Sequence, residues 1–174
     1  MERALVEQAR AGDAHAFEEL VRRRIDTVYR TAVGILGEPA DARDATQEAF
    51  IAAWRQLPSL RDADRFDAWL RRITVNSCRM ILRRRRVVRE IAMPQGDGGL
   101  SGRFLPPPDL AAIHFDDAFE QLPVEQRALL LEHHLDGRSM VEMAAAHGIP
   151  AGTVKSRLFA ARRALERALA EADR

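Results

Sequence analysis

One stretch near the end of the sequence has side chains suited to contacting a nucleic acid. Residues 151–165 include no acid, and apolar Val154 and Leu158 recur at helical spacing. The opposite side of such a helix carries Ser156, flanked by cations such as Arg157. A basic, hydroxyl-bearing helix of this kind fits the DNA major groove. The alternative is an ordinary solvated face on a helical hairpin, and the neighbouring residues favour DNA binding.

The residues before this helix predict the turn that would position it. Ser139 and Glu142 have the spacing of a capping box, which predicts a helix starting at Met140. Gly148 can adopt the left-handed conformation that ends a helix, and Pro150 suits the opening of the next one. The spacing of these signals predicts a helix-turn-helix.

A second set of cations lies in the first half of the chain. Residues 66–86 have the apolar spacing of a helix, and no acid occurs between Arg71 and Val88. A surface of this charge would bind phosphates through counterion release. The alternative is a solvated helix end that complements the helix dipole. We favour phosphate contact, because four consecutive arginines exceed what capping requires. The cations are Arg71, Arg72, Arg79 and Arg83 to Arg86.

Acidic residues mark a different face on the helix predicted over residues 41–57. Asp41, Asp44 and Glu48 are spaced so that they stack on one side. Acids early in a helix favour the positive end of its dipole, which accounts for the first two. Glu48 lies two turns in, so the stripe is better explained as a docking surface for a basic partner.

Residues that could support catalysis or metal binding do not form recognisable sites. The sequence has no P-loop, no G-x-S-x-G motif and no cysteine-based metal site. His133 and His134 are adjacent and would point about 100° apart on a helix, so with His147 they make a poor zinc site. Cys78 is the single cysteine and allows no internal disulfide. We expect no cofactor, no metal and no enzymatic activity.

Composition and the positions of the glycine- and proline-rich segments predict an all-α chain of two small domains. Of the 174 residues, 47% are hydrophobic, which is enough for packed cores. Residues 1–88 show helical patterns throughout, 89–114 are rich in glycine and proline, and 115–174 contain the helix-turn-helix. We expect a flexible linker at the central segment. No signal-peptide pattern and no apolar run of membrane-spanning length occur, so we expect a cytoplasmic, soluble protein without membrane insertion.

Two motif sets in this order resemble the extracytoplasmic-function (ECF) sigma factors of bacterial RNA polymerase. The resemblance covers nearly the whole chain. The N-terminal set is Asp41-Ala42, Asp44, Gln47-Glu48, Phe50, Trp54, Phe66, Trp69-Leu70, Ile73 and Asn76 with the arginine run. The C-terminal set is Leu122-Pro123, Arg127, Gly137, Ser139, Glu142, Ala144, Gly148 and residues 152–158, GTVKSRL.

The resemblance implies three surfaces. The helix over residues 41–57 would bind the core polymerase through Asp41, Asp44, Gln47, Glu48 and Arg55. The loop over residues 58–65 and the next helix would capture the promoter −10 element through Arg61, Asp62, Arg65, Arg72, Asn76, Arg79, Arg83 and Arg84. The helix-turn-helix would bind the −35 element through Ser139, Thr153, Lys155, Ser156, Arg157, Phe159, Arg162 and Arg163.

The resemblance thus predicts a sigma factor whose partners are promoter DNA and the core polymerase, with its beta and beta-prime subunits. Anti-sigma proteins are common in the family, and the sequence leaves open whether one binds this chain. A free-standing helix-turn-helix regulator is the alternative, but it would leave the acidic stripe and the distant arginines without a role. A hydrolase using the histidines is a third hypothesis, and the missing catalytic motifs argue against it.

Overall fold

The computed structural model describes residues 2–92, residue 115 and residues 117–172. The described residues form helices and turns, without strands. Two 3₁₀ turns, Leu57–Ser59 and Ala63–Arg65, connect α3 to α4. The α-helices are α1 (Glu2–Arg10), α2 (Ala14–Leu36), α3 (Pro39–Gln56), α4 (Phe66–Ala92), α5 (Val124–His134), α6 (Met140–His147) and α7 (Ala151–Ala172).

Local signals define the ends of the N-terminal helices. The Asp13 side chain accepts hydrogen bonds from the backbone N–H groups of His15 and Ala16, at 2.9 and 3.1 Å, and so caps α2. Gly37 ends α2 in the left-handed conformation, with a φ of 70°. Pro39 follows as the first residue of α3, where its missing N–H costs no helical hydrogen bond.

Helices α1 to α4 form an N-terminal bundle around an apolar core. This core combines small side chains such as Ala49 and Ala53 with large ones. Its largest fully buried members include Leu20 and Leu57. A second cluster near the other end of the bundle contains Ile35, Cys78 and Ile81.

Helices α5 to α7 form the C-terminal unit. Leu130 and Leu158 hold α5 against α7, while Met143 and Val154 hold α6 against α7. Gly148 ends α6 with a φ of 64°, which confirms the turn predicted from the sequence. The result is the predicted helix-turn-helix, with α7 as its second helix.

Several boundaries differ from the sequence prediction. Helix α4 continues to Ala92, because nothing between Arg86 and Pro94 breaks a helix. The 58–65 segment, expected to be a polar loop, is anchored to the core by buried Leu60 and Ala63. The linker predicted over 89–114 lies outside the described residues from 93 onward. Among the described helices, none is long and apolar enough to cross a membrane.

The C-terminal unit packs directly on the N-terminal bundle. Val124, Ala128 and Leu131 of α5 lie against the cluster of Ile35 and Cys78. Burial in this apolar setting raises the pKa of the Cys78 thiol to about 12, so the thiol stays protonated near neutrality. The described parts of the two units therefore share one apolar contact zone.

Candidate nucleic-acid interface

The outward side of α7 is a cationic surface open to solvent. Lys155, Ser156 and Arg157 are exposed, whereas Val154 and Leu158 are buried against the rest of the unit. Lys155, Arg157 and Arg163 form no ion pair with another described residue. These cations are therefore available for phosphates, in agreement with the orientation deduced from the sequence.

Polar and aromatic groups lie on the same helix among the cations. The Ser156 hydroxyl donates a hydrogen bond to the Thr153 carbonyl at 3.0 Å. With its proton used in this way, the Ser156 oxygen can act towards DNA as an acceptor. Phe159 is 64% exposed and lies on the same helix as these cations. Arg162 approaches the His134 ring of α5 at 3.4 Å.

A capping box fixes the start of α6 and so the angle at which α7 is presented. The Glu142 backbone N–H donates to the Ser139 hydroxyl oxygen at 3.3 Å, and the Ser139 backbone N–H donates to the Glu142 carboxylate at 2.8 Å. The Ser139 hydroxyl also donates to this carboxylate, and these hydrogen bonds lower the pKa of Glu142. Ser139 was predicted to contact DNA. In the structure its side chain is used to cap α6, and so it helps to shape the turn.

The arginines of α4 are placed differently from those of α7. Arg84 bonds to the Glu48 carboxylate at 2.6 Å, and Arg85 pairs with Asp41. Both acids belong to α3. Two of the three acids in the stripe predicted from the sequence therefore have a basic partner within the chain. Asp44 is exposed and forms no ion pair with a described residue.

The candidate −10 residues face the C-terminal unit across a cleft of about 640 Å³. Asn76 accepts a hydrogen bond from Arg79 at 3.1 Å, and Arg79 also pairs with Glu125 of α5. On the other side of the cleft lie His147 and Arg157. Six of the eight candidate −10 residues line it: Arg61, Asp62, Arg65, Arg72, Asn76 and Arg79. The structure thus brings most of this predicted set together, while Arg83 and Arg84 lie further along α4.

The candidate polymerase-binding residues share the exposed side of α3. Asp44, Gln47 and Arg55 are exposed, and Glu48 is partly exposed. Ile51, which was not predicted from the sequence, lies between them with 42% of its surface exposed. The spacing 44, 47, 51 and 55 would have revealed it as part of the same stripe.

Trp54 lies at the edge of α3's apolar side and is less buried than helical spacing predicts. Its ring stacks at a tilt on Phe17, with 4.9 Å between ring centroids, and 38% of its surface is exposed. A large ring at the edge of a polar stripe is typical of a residue that contributes to an interface.

The three histidines have structural partners. The His147 ring lies 2.7 Å from a Glu132 carboxylate oxygen, and the His133 ring lies 2.9 Å from the Arg138 carbonyl oxygen. Burial lowers the pKa of His134, and neighbouring Arg162 lowers it further. The described residues contain no cluster of three or more His, Cys, Asp or Glu side chains that could hold a metal ion.

Comparisons with known proteins agree with this arrangement. Residues 20–87 match the family Sigma-70 region 2, and residues 114–165 match the family Sigma-70, region 4. The first match covers most of the N-terminal bundle, and the second covers most of the helix-turn-helix unit.

Two curated relatives resemble the chain over most of its length. The chain is 34% identical over 164 residues to the ECF RNA polymerase sigma factor SigE of Mycolicibacterium smegmatis; the match covers 90% of this chain and spans 62% of that relative. It is 36% identical over 163 residues to the ECF sigma factor SigM of Mycobacterium tuberculosis strain H37Rv, covering 91% of this chain and 80% of that protein.

A solved structure of CnrH in complex with the cytosolic domain of CnrY matches with a TM-score of 0.67 and 30% identity. That match covers 99% of both chains. Both sigma regions are thus present in order, with relatives that share this organisation over most of the chain. On these grounds the chain belongs to the ECF sigma factors of RNA polymerase.

Proposed function

We propose that this chain binds the core RNA polymerase and directs it to promoters by contacting the −10 and −35 elements. The exposed cationic face of α7 carries the proposal, because its cations have no acidic partner among the described residues while its apolar face is buried. Family membership supplies the polymerase as the partner. The chain acts as a specificity factor in the cytoplasm, and catalysis belongs to the polymerase.

The N-terminal bundle would supply two of the three contacts. The exposed stripe of Asp44, Gln47 and Arg55 on α3, with Ile51 between them, is proposed as the polymerase-binding surface. An exposed apolar side chain surrounded by polar ones is the composition expected at the centre of such an interface. The cleft-facing side of α4 is proposed to hold −10 DNA, with phosphate contacts setting the position and few base contacts setting the sequence.

The C-terminal unit would read the −35 element with α7 in the major groove. Lys155 and Arg157 lie at the edges of the exposed face and would contact phosphates. Ser156 lies between them and would accept a hydrogen bond from a base amino group, such as N4 of cytosine or N6 of adenine. Phe159 would contact an apolar base edge such as a thymine methyl group.

In vitro transcription with purified core polymerase on a library of genomic promoters tests the proposal. We expect specific initiation that depends on this chain, with a shared −35 motif among the active promoters. A helix-turn-helix regulator acting alone would bind DNA without making core polymerase initiate at those sites. Absence of initiation, together with tight duplex binding, would favour that second function.

A charge reversal separates polymerase binding from DNA binding. Asp44→Arg combined with Gln47→Arg should weaken association with core polymerase. The affinity for DNA should not fall, because both residues are exposed on α3 away from the cleft. Asp26→Arg on α2 is a matched control, since Asp26 is also exposed and forms no ion pair with a described residue. Equal polymerase binding by all three proteins would show that this stripe is not the docking surface.

A further inference from the structure

We propose that the cleft beside α4 is a binding site for a compact polyphosphate anion, which bridges arginines of the −10 and −35 surfaces and competes with promoter DNA for them. The site follows from the charges that line the cleft, whereas the competition with DNA also rests on the proposed function. Three observations carry the proposal: the size of the cleft, its excess of cations, and the placement of those cations on two facing walls.

The cleft has the size of a small-molecule site. Its volume of about 640 Å³ lies within the range of roughly 300–1,000 Å³ that is typical of ligand pockets. Buried Trp69 and Leu129 contribute apolar surface to its lining, and arginines contribute charge. The cleft is therefore large enough for a short chain of phosphate groups, with or without a nucleoside attached.

Each acid that lines the cleft already has a basic partner. The pairs are Asp62 with Arg65 at 3.6 Å, Glu125 with Arg79, and Glu132 with Arg71 at 3.2 Å. Glu132 also lies 2.7 Å from the His147 ring, which borders the cleft as well. The lining contains six arginines and three acids, so an excess of three positive charges remains even when His147 is neutral.

This excess belongs to three arginines without a partner. Arg61, Arg72 and Arg157 are exposed, and none of them forms a hydrogen bond or an ion pair with another described residue. A concave surface lined by unneutralised charge of one sign concentrates its electric field and attracts counterions. The planar guanidinium group presents N–H donors in a fork that matches phosphate oxygens. The unpaired charge thus has the chemistry of a phosphate site.

The unpaired arginines lie on both walls of the cleft. Arg72 belongs to α4, whereas Arg157 belongs to α7 on the opposite wall. Arg65 comes close to that wall too, because a Cβ atom added at Gly148, in the turn before α7, would lie 3.4 Å from its guanidinium. Like charges on facing walls repel each other, and an anion placed between them replaces repulsion with attraction. This arrangement favours an anion with several phosphates over a single phosphate.

Two sources can supply this chemistry, namely inorganic polyphosphate and the phosphate chain of a nucleotide. Isothermal titration calorimetry of the full chain with inorganic triphosphate, ATP and inorganic phosphate, in buffer without magnesium, distinguishes them. We expect triphosphate to bind more tightly than phosphate. Tighter binding of ATP than of triphosphate would assign the site to nucleotides, and equal or weaker binding of ATP would assign it to the phosphate chain alone. Triphosphate binding no tighter than phosphate would overturn the proposal.

Variants of the cleft arginines test where the anion binds. Arg72→Ala and Arg157→Ala should each weaken triphosphate binding by roughly 10–100-fold, as expected for loss of a charged hydrogen-bond donor. Arg83→Ala on α4 and Arg163→Ala on α7 are the matched controls. Each control removes an exposed arginine that has no ion pair with a described residue and does not line the cleft. All four variants change the net charge equally, so equal losses of affinity would show that the anion binds the positive surface in general.

The double variant tests bridging. If one anion contacts both walls, either single substitution already breaks the bridge. Arg72→Ala combined with Arg157→Ala should therefore lose less affinity for triphosphate than the product of the two single losses. A loss equal to that product would mean that the two arginines act independently, and bridging would be wrong. Circular dichroism establishes that each variant is folded.

Displacement of a fluorescent −35 duplex tests competition. Triphosphate should release the duplex from the wild type, and Arg72→Ala should need roughly 10–100-fold more triphosphate for the same release. Sodium chloride at the same ionic strength is the control for screening. Release no greater than that caused by sodium chloride would overturn competition.

The calorimetry uses neither DNA nor polymerase, so its result is independent of the proposed function. A chain that supports initiation but binds triphosphate equally well with and without Arg157 would refute the anion site alone. A chain that binds triphosphate in the cleft but does not support initiation would refute the proposed function and leave the site standing.

Discussion

Helices α4 and α7 both carry clusters of cations, and the structure uses them in different ways. On α4, Arg71 and Arg79 pair with acids of the C-terminal unit, and Arg84 and Arg85 pair with acids of α3. On α7, the exposed cations Lys155, Arg157 and Arg163 form no ion pair with described residues. A run of arginines in a sequence therefore indicates positive charge but does not indicate how much of that charge is available to a nucleic acid.

The reason for the difference is the set of elements that surrounds each helix. Helix α4 lies between α3, which has acids along one side, and α5, which presents Glu125 and Glu132. Helix α7 packs through its apolar face, and its cations Lys155, Arg157 and Arg163 have no acidic partner among the described residues, although Arg157 lines the cleft opposite α4. Phosphate binding thus requires rearrangement at the paired arginines of α4, but not at the unpaired cations of α7.

The largest expected effect comes from breaking the buried ion pair on the α4 side. Glu132→Ala removes one of the two acids that pair with shielded Arg71 and also removes the partner of His147. We expect the free energy of unfolding to fall by about 3–5 kcal/mol, measured by urea denaturation. Glu125→Ala, at an exposed pair, should cost less than about 1 kcal/mol. Equal losses of stability in the two variants would contradict the distinction between the buried and exposed pairs.

The next prediction compares cations on the two helices. Arg157→Ala should weaken binding to all −35 sequences alike, and the slope of log affinity against log salt should fall by about one unit for each phosphate that the variant no longer neutralises. On α4, Arg84→Ala should change the slope for −10 DNA less than Arg83→Ala, because Arg84 is already held by Glu48. Fluorescence anisotropy across a salt series measures both effects. An altered base preference in Arg157→Ala with an unchanged slope would contradict the proposed orientation of α7.

A third prediction sharpens the assignment of base reading to α7. Ser156→Ala removes the acceptor oxygen and should reduce discrimination at one or two −35 base pairs by roughly 1–3 kcal/mol. The salt slope should stay at the wild-type value, because no charge is removed. Binding to a set of single-base substitutions in the −35 element provides the measurement. A uniform decrease in affinity across the set would indicate that Ser156 does not contact bases.

The smallest effect concerns the turn that presents α7. Ser139→Ala removes the cap of α6 and should lower stability by about 1 kcal/mol, within a range of roughly 0.5–2 kcal/mol. Ser139→Thr is the control, since threonine keeps the hydroxyl that caps the helix and donates to Glu142. Thermal unfolding of both variants tests this, and equal destabilisation by both would show that the hydroxyl oxygen is not the important cap.

Because the cap of α6 includes the Glu142 carboxylate, the stability that this cap provides depends on pH. Because the pKa of Glu142 in the folded protein lies below its ordinary value of 4.5, the stabilisation is present above that value and is lost as the pH falls through the folded pKa. The stability difference between Ser139→Ala and the wild type should therefore be largest at neutral pH and shrink in acid, where the hydroxyl loses its hydrogen bond to the ionised Glu142 carboxylate. A constant difference across this range would contradict the role of the ionised carboxylate.

Much of the fold and the candidate site followed from the sequence because local chemistry defines them. Asp13 and Ser139 cap helices through side-chain oxygens, and Gly37 and Gly148 end helices in a conformation that other residues rarely adopt. The apolar spacing of Val154 and Leu158 also determines which side of α7 is buried. These features depend on neighbours within a few residues, so the outward side of α7 could be predicted together with its helix.

Only the tertiary structure decided which charges meet and how the two units pack. The pairing of Arg84 with Glu48 joins residues 36 positions apart, and the Arg127 bond to the Ile35 carbonyl joins residues 92 positions apart. Helical periodicity gives the direction of a side chain around its own helix but does not specify the neighbouring helix. For that reason the sequence by itself determined the helices, their caps and the cationic face of α7, whereas packing determined that the α4 arginines face acids and that Arg127 reaches the Ile35 carbonyl group.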